Sequence, residues 1–184
     1  WLEWEDDLRD PDEEIKATWR ERLADSIEYY KYIQFIFFRQ WNAIRDYAHV
    51  NGIKIVGDIP IFVALDSADV WANRELFQLE KDGYPTVVAG VPPDYFSATG
   101  QLWGNPLYDW DYHKKTHYDW WMRRIKGQLN MVDYIRVDHF RGFEQYYAIP
   151  YGEETAMHGK WKKGPNEDLF LRMQEVFGKD LSLI

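Results

Sequence analysis

The sequence predicts an α/β fold built around a parallel sheet, and three observations lead to this fold class. Helix-like stretches alternate along the chain with short runs rich in β-branched residues. The two complete strand candidates, 53–58 and 132–139, each carry an aspartate at or near the carboxyl end, where parallel α/β folds bind ligands. No internal repeat or low-complexity segment points to a different architecture.

Two helices are predicted at the start of the chain. Asp10 can cap the first, Pro11 suits its first turn, and the acidic residues that follow complement the positive end of a helix. The second helix runs from about Ser26 to Val50, with Asn51–Gly52 as its stop signal. Its middle, 29–41, is apolar on nearly all sides, so we expect it to be well buried.

The remaining elements alternate between strand and helix. We expect a strand at 53–58, a helix at 69–80, a long loop at 82–110, a helix at 114–130, a strand at 132–139, a helix at 165–177 stopped by Gly178, and the start of a third strand at 180–184. The loop is rich in glycine, proline and aromatic residues, and such long loops are usually functional. A complete (β/α)8 barrel needs eight strands and roughly 250 residues. Three strands favour a piece of a larger protein, with a small open-sheet domain as the alternative.

Composition excludes several function classes. Of the 184 residues, 46% are apolar and 29% are charged, which is the balance of a soluble protein with a core. The net charge of −9 comes mostly from residues 1–14, which hold eight acidic side chains and one basic one. No Lys/Arg cluster could track a nucleic-acid backbone, and no apolar run is long enough for a membrane span. Cysteine is absent, which fits a reducing compartment, and we expect a cytoplasmic protein.

Aromatic residues are unusually frequent, with ten Trp, thirteen Tyr and ten Phe making 18% of the chain. Trp and Tyr offer flat apolar faces with a polar handle, and such faces suit the C–H patches of pyranose rings. Composition alone favours the plainer interpretation that these rings fill the core. Tyr95, Phe96 and Trp103 differ because they fall in the predicted loop, where exposed aromatic residues more often bind ligands. The Trp120–Trp121 pair falls in a predicted helix, where we expect packing.

Arg136 and Asp138 are the strongest candidates for chemistry. Positions two apart on a strand share a face, so these side chains point together, while Ile135 and Val137 point to the other side. A neighbouring arginine favours the ionised carboxylate that a nucleophile requires. A structural Arg–Asp ion pair explains the same pattern, and the residues alone do not separate the two.

Other catalytic signals are weak. His113 and His117 are four apart, but Lys114 follows the first, where a zincin pattern needs Glu, and a third ligand is lacking. Neither a phosphate-binding glycine loop nor a Gly-x-Ser-x-Gly elbow occurs. We therefore expect no metal and no cofactor.

Four segments give the sequence a resemblance to a known family. They are Gly57–Val63, Asp66–Trp71, Ala89–Tyr108 and Arg136–Glu144. Together they resemble the 4-α-glucanotransferase family, also called amylomaltases or disproportionating enzymes, which is related to the α-amylases. The resemblance runs in order over the chain, and its third and fourth segments are the most specific.

The resemblance implies a fold and a substrate class. The fold would be a partial (β/α)8 TIM barrel with a helical insertion at 1–52 and a long aromatic loop. Residues 53–184 would form the central part of the barrel, from about strand 3 to the start of strand 5. The family moves α-1,4-glucan segments between chains by a retaining double displacement, so maltooligosaccharides, maltodextrin and a glucose acceptor would be the partners, with no nucleic acid or membrane.

The resemblance also assigns roles to residues. Asp138 would be the nucleophile that carries the covalent glycosyl group, and Arg136 would hold it ionised and oriented. Asp58 and His139 would bind sugar hydroxyls. Three aromatic residues would guide the glucan and shield the intermediate from water, namely Tyr95, Phe96 and Trp103.

The motifs do not include the second catalytic carboxyl group. Retaining chemistry needs a second carboxyl group as acid/base, about 5–5.5 Å from the nucleophile. In the family this glutamate follows the next barrel strand, beyond Ile184, and Glu144, Glu153 and Glu154 match no motif position. We therefore expect this chain alone to be inactive. A non-catalytic α-glucan-binding module and an amylase-type hydrolase are the alternatives.

Overall fold

The computed structural model describes residues 1–184, which form seven α-helices and six strands. In chain order the helices are α1 Asp6–Arg9, α2 Glu13–Arg22, α3 Ala24–Val50, α4 Ala68–Ala72, α5 Trp110–Lys115, α6 Asp119–Leu129 and α7 Glu167–Phe177. The strands are β1 Val56–Ile59, β2 Val87–Val91, β3 Gln101–Pro106, β4 Tyr134–Val137, β5 Gln145–Pro150 and β6 Lys160–Lys163. Short 3-10 turns occur at Arg74–Leu76 and Phe140–Phe143. None of the helices combines the length and apolar character needed to cross a membrane.

The two helices predicted at the start of the chain are present as α2 and α3, but they begin at different residues from those predicted. Asp10 closes the short helix α1, so it does not cap the next one. The cap of α2 is Asp12, whose carboxylate accepts a hydrogen bond from the Ile15 backbone N–H at 2.8 Å. Helix α3 begins two residues before the predicted Ser26 and ends at Val50 as predicted. Gly52 follows with a φ of 72°, a conformation that suits glycine at a helix stop.

The prediction that the middle of α3 is well buried is wrong for these 184 residues. No residue of α3 is buried, and its aromatic side chains include Tyr30 at 67% exposure. The helix is held mainly along its C-terminal half, where Trp41 Nε1 donates to the Met131 carbonyl at 2.8 Å. Further along, His49 Nε2 lies 2.9 Å from the Asp133 carboxylate. Most of the rest of its apolar surface is exposed, and only a few of its apolar side chains, such as Ile27 and Ile36, are half-buried.

Two of the three predicted strands form a parallel pair in the structure. β1 and β4 pair in parallel, with Asp58 opposite Arg136 and Ile59 opposite Val137. The two strands are shorter than predicted, at 56–59 and 134–137. The third predicted strand is reduced to a parallel bridge between Ile135 and Leu183, so the chain end does lie beside β4. These contacts confirm the parallel arrangement, while a closed barrel is not seen among these residues.

A second, antiparallel sheet was not predicted. Its strand order is β3-β2-β5-β6, and two of its strands lie within 82–110, the stretch predicted as one long loop. The loop prediction is therefore wrong for β2 and β3, and only 92–100 connects them. Glycine makes this pairing possible, because a Cβ on Gly90 would lie 2.3 Å from the Gln101 carbonyl oxygen. The glycines that signalled a loop instead allow two backbones to approach closely.

Two predicted helices are broken into shorter pieces. The stretch 69–80 forms α4 and a 3-10 turn. The stretch 114–130 is divided between α5 and α6, because His117 and Tyr118 adopt left-handed backbone conformations with φ of 54° and 56°. Helix α7 begins two residues later than predicted and is followed, as expected, by Gly178 with a φ of 92°.

The main core lies between the parallel pair, the antiparallel sheet and α6. Tyr108, Trp121, Ile125 and Ile135 are completely buried in it, and Trp120 is only 6% exposed. The packing role predicted for the Trp120–Trp121 pair is confirmed. This core fixes the backs of β1 and β4, so their other faces are free to carry polar side chains.

Candidate active site

Arg136 joins the two aspartates at the carboxyl ends of the parallel strands. Its Nη1 donates to Asp58 Oδ1 at 2.6 Å, and its Nη2 donates to Asp138 Oδ1 at 2.9 Å. Asp58 stands opposite Arg136 in the strand register, whereas Asp138 follows β4 directly. One guanidinium therefore holds two carboxylates at the same edge of the sheet.

The alternation of β4 explains this placement. Ile135 and Val137 are buried, at 0% and 7% exposure, on the core side of the strand. Arg136 therefore projects from the opposite side, as predicted, and so does Asp138 two residues later. Burial of the two apolar side chains sets the direction in which both polar ones point.

The electrostatics of the site centre on Arg136. Hydrogen bonding to Asp58, and then the charges of Asp58 and Asp138, raise the pKa of the Arg136 side chain above its ordinary value. All three side chains are about half exposed, at 52%, 61% and 55% for Arg136, Asp58 and Asp138. The carboxylates are thus oriented by the guanidinium and remain open to a ligand.

His139 occupies a constrained position beside this group. Its backbone is left-handed, with a φ of 50°, and a Cβ on Gly142 would lie 3.0 Å from the His139 Cδ2. Its ring meets the Trp103 indole edge to face. Burial lowers the pKa of His139 below its usual value, and the charge of Asp138 opposes this shift. The imidazole is therefore neutral at neutral pH and can donate or accept a hydrogen bond.

The three candidate aromatic residues do not lie together. Trp103 stands on β3, packs near Phe62 at a centroid distance of 6.4 Å, and reaches His139. Tyr95 and Phe96 form the tip of the 92–100 connection and are 97% and 94% exposed. No hydrogen bond or ring contact links either of them to Asp58, Arg136 or Asp138. Of the three, Trp103 alone contacts a residue of the site.

The turn that carries Tyr95 and Phe96 is nevertheless ordered. The Asp94 carboxylate accepts hydrogen bonds from the backbone N–H groups of Phe96 and Ser97, both at 2.8 Å. The Ser97 hydroxyl donates to the Gly100 carbonyl at 2.7 Å. Two almost fully exposed rings are thus presented to solvent on a defined turn, an arrangement typical of a binding loop.

Comparison with known proteins decides the family. A family model described as 4-alpha-glucanotransferase matches residues 1–184. The chain belongs to this 4-alpha-glucanotransferase family. The 4-alpha-glucanotransferase of Aquifex aeolicus is 47% identical over 180 residues, which is 98% of this chain and 37% of the relative. That of Thermus thermophilus is 49% identical over 179 residues, covering 97% of this chain and 36% of the relative.

A solved structure agrees with this membership. Amylomaltase from Streptococcus agalactiae, in complex with acarbose, matches with a TM-score of 0.94 and 44% sequence identity. The match covers 99% of this chain and 37% of that one. The chain therefore spans a little over a third of the length of these relatives.

The other carboxylates considered as a second catalytic group lie apart from the Arg136 bridge. Glu153 Oε2 lies 2.9 Å from His158 Nδ1. Glu144 lines a cavity of about 600 Å³ between the Phe140–Phe143 turn and α7. Neither Glu144, Glu153 nor Glu154 makes an ion pair with Arg136. Asp58 is the carboxylate that shares Arg136 with Asp138.

The two histidines considered as metal ligands are separated. His113 lies in α5 and is completely buried, whereas His117 follows the end of that helix. They do not share a helix face. No group of three His, Asp or Glu side chains is arranged to hold a metal ion.

Sequence reasoning missed the residue that supports the turn after β1. Arg124 Nη2 donates to the Pro60 carbonyl at 2.6 Å, and its Nη1 donates to the Ile61 carbonyl at 3.0 Å. Its guanidinium also stacks near the rings of Trp120 and Trp121, 5.2 and 4.9 Å from their centroids. No motif marks Arg124, although an arginine just after two tryptophans on a helix is the signal that could have indicated a stacked, partly buried cation.

Proposed function

We propose that the protein carrying this sequence transfers α-1,4-glucan units between sugar chains, with Asp138 as the nucleophile of a retaining double displacement. The observation that carries the proposal is the bridge from Arg136 to Asp58 and Asp138. Family membership supports the reaction class, because the full-length relatives are named 4-alpha-glucanotransferases. The half exposure of Asp138 supports access by a sugar.

Asp138 is proposed to attack the anomeric carbon of the donor sugar. The bond to the leaving glucan breaks as the bond to the carboxylate forms, and a second carboxyl group protonates the leaving oxygen. The acceptor hydroxyl then attacks the glycosyl-enzyme, its proton passes to that second group, and Asp138 is released. Arg136 keeps the attacking oxygen in place by a charge-assisted hydrogen bond.

The second carboxyl group is proposed to lie outside these 184 residues. Asp58 is already engaged with Arg136, whose Nη1 donates to Asp58 Oδ1 at 2.6 Å. Glu153 is engaged with His158. We therefore propose that a protein made of residues 1–184 alone does not turn over glucan, and that Asp58 and Asp138 act within a longer chain.

Substrate contacts are proposed for the remaining candidates. The Asp58 carboxylate accepts hydrogen bonds from sugar hydroxyls next to Asp138, and the neutral ring of His139 accepts from one hydroxyl or donates to another. Trp103 offers its ring beside His139, which suits stacking against a pyranose. The exposed Tyr95 and Phe96 guide the glucan and exclude water from the glycosyl-enzyme, which favours an acceptor sugar over hydrolysis.

The domain assignment is also a proposal. Residues 53–184 would be the central part of a (β/α)8 barrel, from about strand 3 to the start of strand 5, with 1–52 as a helical insertion. The parallel pairing of β1 with β4, and the parallel bridge from Ile135 to Leu183, support it. In that arrangement β1, β4 and the segment at Leu183 are neighbouring barrel strands.

The substrates proposed are maltooligosaccharides and maltodextrin, with glucose as an acceptor. The acarbose complex of the Streptococcus agalactiae amylomaltase supports an α-glucan ligand for this family. A cytoplasmic location stays a prediction, because the relatives include plant proteins named as chloroplastic or amyloplastic. Fractionation of the source cells, followed by immunoblotting, tests it.

Product analysis tests the proposed function. We expect the natural-length protein to convert maltotriose into glucose and a ladder of longer maltooligosaccharides. A net gain of reducing ends without longer products would indicate an amylase-type hydrolase. Binding of maltodextrin without any turnover would indicate a glucan-binding module. The Asp138→Asn variant, which keeps the size of the side chain, is expected to lose the ladder.

A further inference from the structure

Gly142 lies where two parts of the candidate active site meet. It belongs to the Phe140–Phe143 turn that follows β4, and it is buried. A Cβ added to Gly142 would lie 2.7 Å from Ile61 Cδ1 and 3.0 Å from His139 Cδ2. Both distances are shorter than the separation of about 3.5–4.0 Å at which carbon atoms normally touch. The position therefore has room for a hydrogen atom but not for a methyl group.

The need for glycine at this position is one of space and not of backbone conformation. Gly142 does not have the left-handed backbone that Gly52 and Gly178 adopt at the ends of helices. An alanine could therefore take up the same backbone conformation, and any effect of the substitution would come from the two side-chain contacts. Glycine in such a place allows a close approach between two parts of the chain.

The imidazole ring of His139 is held by Gly142 and by one aromatic neighbour. Cδ2 and Nε2 are the ring atoms nearest to Gly142, and Nε2 would lie 3.6 Å from the added Cβ. The ring also contacts the Trp103 indole at a centroid distance of 4.9 Å. The His139 carbonyl accepts a hydrogen bond from the Gly142 N–H at 2.8 Å, which closes the turn beneath the ring. The turn and the indole together set where the ring lies.

Ile61, the other neighbour of Gly142, is fixed more firmly than His139. Its side chain is buried, at 3% exposure. Its carbonyl accepts hydrogen bonds from the Tyr108 hydroxyl at 2.7 Å and from Arg124 Nη1 at 3.0 Å. The segment after β1 is thus anchored in the core, whereas His139 is only half-buried. A methyl group at position 142 would therefore displace the His139 ring more readily than the Ile61 backbone.

We propose that Gly142 is a positioning residue for the transfer reaction, because its lack of a side chain lets the His139 ring lie against the turn, in reach of a sugar hydroxyl next to Asp138. This inference rests on the proposed function for the contact between His139 and the sugar. Gly142 touches no substrate and acts through His139. A methyl group at this position moves the ring away from the turn and weakens that contact.

A double-mutant cycle on maltotriose tests the inference in the natural-length protein. We expect Gly142→Ala to lower kcat/KM about threefold to tenfold, the loss expected for one hydrogen bond between neutral groups. In the His139→Ala background the same substitution should have little effect, because the displaced ring is gone. Equal losses in the two backgrounds would overturn the inference. Gly127→Ala is the matched control, since nothing lies within 4 Å of a Cβ added there, and it should leave kcat/KM unchanged.

A second variant keeps the test valid if Gly142→Ala lowers the stability of the protein. Ile61→Val removes Cδ1 and so relieves the 2.7 Å contact, while the 3.0 Å contact with His139 remains. The combined variant, Gly142→Ala with Ile61→Val, should recover the Tm of Ile61→Val but not its kcat/KM. Recovery of both quantities would overturn the inference, because the contact with Ile61 would then account for the whole loss.

A titration of His139 by NMR separates this inference from the proposed function, because it needs no substrate. The signal is assigned by its absence from His139→Ala. Burial lowers the pKa of His139, so a ring moved away from the turn should have a pKa closer to 6.5 in Gly142→Ala, with the charges of Asp138 and Arg141 still in place.

The two measurements together give distinct outcomes. If the unsubstituted protein does not disproportionate maltotriose, the proposed function fails, yet a raised His139 pKa in Gly142→Ala would still support the positioning of the ring by Gly142. In an active protein, an unchanged kcat/KM in Gly142→Ala would overturn the inference whatever the pKa does, and the transferase proposal would stand. A lower kcat/KM with an unchanged His139 pKa would overturn it as well, because the ring would not have moved.

Discussion

The indole ring of Trp103 meets the imidazole ring of His139 edge to face, with centroids 4.9 Å apart and planes at 84°. Trp103 belongs to β3 of the antiparallel sheet, whereas His139 follows β4 of the parallel pair. The contact therefore joins the two sheets beside the candidate nucleophile. It also limits the rotation of a histidine whose backbone is already left-handed.

Replacing Trp103 should weaken transfer without unfolding the protein. We expect Trp103→Leu to lower kcat/KM for maltotriose about tenfold, because an aromatic pair contributes about 0.5–1.5 kcal/mol and the sugar platform is lost as well. Initial rates of glucose release measure it. Trp161→Leu is the control, since Trp161 packs on Tyr147 at 5.3 Å and makes no ring contact with His139. Equal losses in the two variants would show that the Trp103–His139 contact has no special role.

The Arg136→Lys variant should distinguish the effect of the positive charge at this position from the effect of the two hydrogen bonds. Lysine keeps the positive charge but cannot donate to Asp58 and Asp138 from one planar fork. We expect kcat to fall at least about tenfold, while the free energy of unfolding changes by less than about 1 kcal/mol because the ion pairs are exposed. Steady-state rates and urea unfolding measure the two effects. Arg141→Lys is the control within the same motif, since Arg141 stacks over Trp161 instead. A fully active Arg136→Lys protein would contradict the orienting role.

Arg124 should matter chiefly for stability. Arg124→Met leaves the Pro60 carbonyl without its donor and removes one of two donors from the Ile61 carbonyl, which still accepts from the Tyr108 hydroxyl. Because both lost hydrogen bonds come from a charged group, we expect the free energy of unfolding to fall by about 2 kcal/mol. Arg123→Met on the same helix is the control, because its contact is an exposed ion pair with Asp119 at 3.2 Å, worth about 0–1 kcal/mol. Chemical denaturation of both variants measures the difference. Equal effects would show that the two carbonyls do not depend on Arg124.

His113 should make the protein less stable in acid. Burial lowers its pKa to about 4, a shift that the Leu76 backbone and the Asp109 charge oppose only in part. Above pH 6.5, the ordinary histidine value, the ring is neutral in both folded and unfolded states and has no effect. Below that value His113 binds a proton in the unfolded chain but stays unprotonated in the folded protein. Stability is therefore lost as the pH falls from 6.5 to about 4, by about 3 kcal/mol in all.

The measurement is the free energy of unfolding at several pH values. His113→Phe preserves an aromatic ring among Tyr108, Trp110 and Trp120. It should flatten the slope between pH 6.5 and 4 relative to the unsubstituted protein. His158→Phe is the control, because the His158 side chain is 70% exposed. An identical slope in the His113→Phe protein would show that His113 is not the group responsible.

Local signals predicted the parts of the fold that local forces determine. The stop of α3 at Gly52, the end of α7 at Gly178 and the alternation of β4 follow from backbone conformation and side-chain direction. These features needed no knowledge of distant partners. The projection of Arg136 and Asp138 from the same side of the strand was predictable for the same reason.

Other features depend on residues far apart in the sequence. The antiparallel sheet was missed because Gly90 and Gly100 are ordinary turn signals, and their use as close-approach positions depends on which backbone lies opposite. The exposure of α3 was missed because an apolar helix predicts a partner without saying where the partner is. The bridge from Arg136 to Asp58 also lay beyond local reasoning, since it needs the register between β1 and β4.

The most direct test of the account is whether Asp138 becomes covalently glycosylated. The natural-length protein is mixed with maltotriose, and the reaction is quenched in acid within milliseconds. The protein is then digested, and the mass of the peptide that contains Asp138 is measured by mass spectrometry. We predict a glycosyl adduct on Asp138, absent from the Asp138→Asn protein, which also fails to form the maltooligosaccharide ladder. An adduct on another carboxylate, or a ladder that persists in Asp138→Asn, would contradict the account.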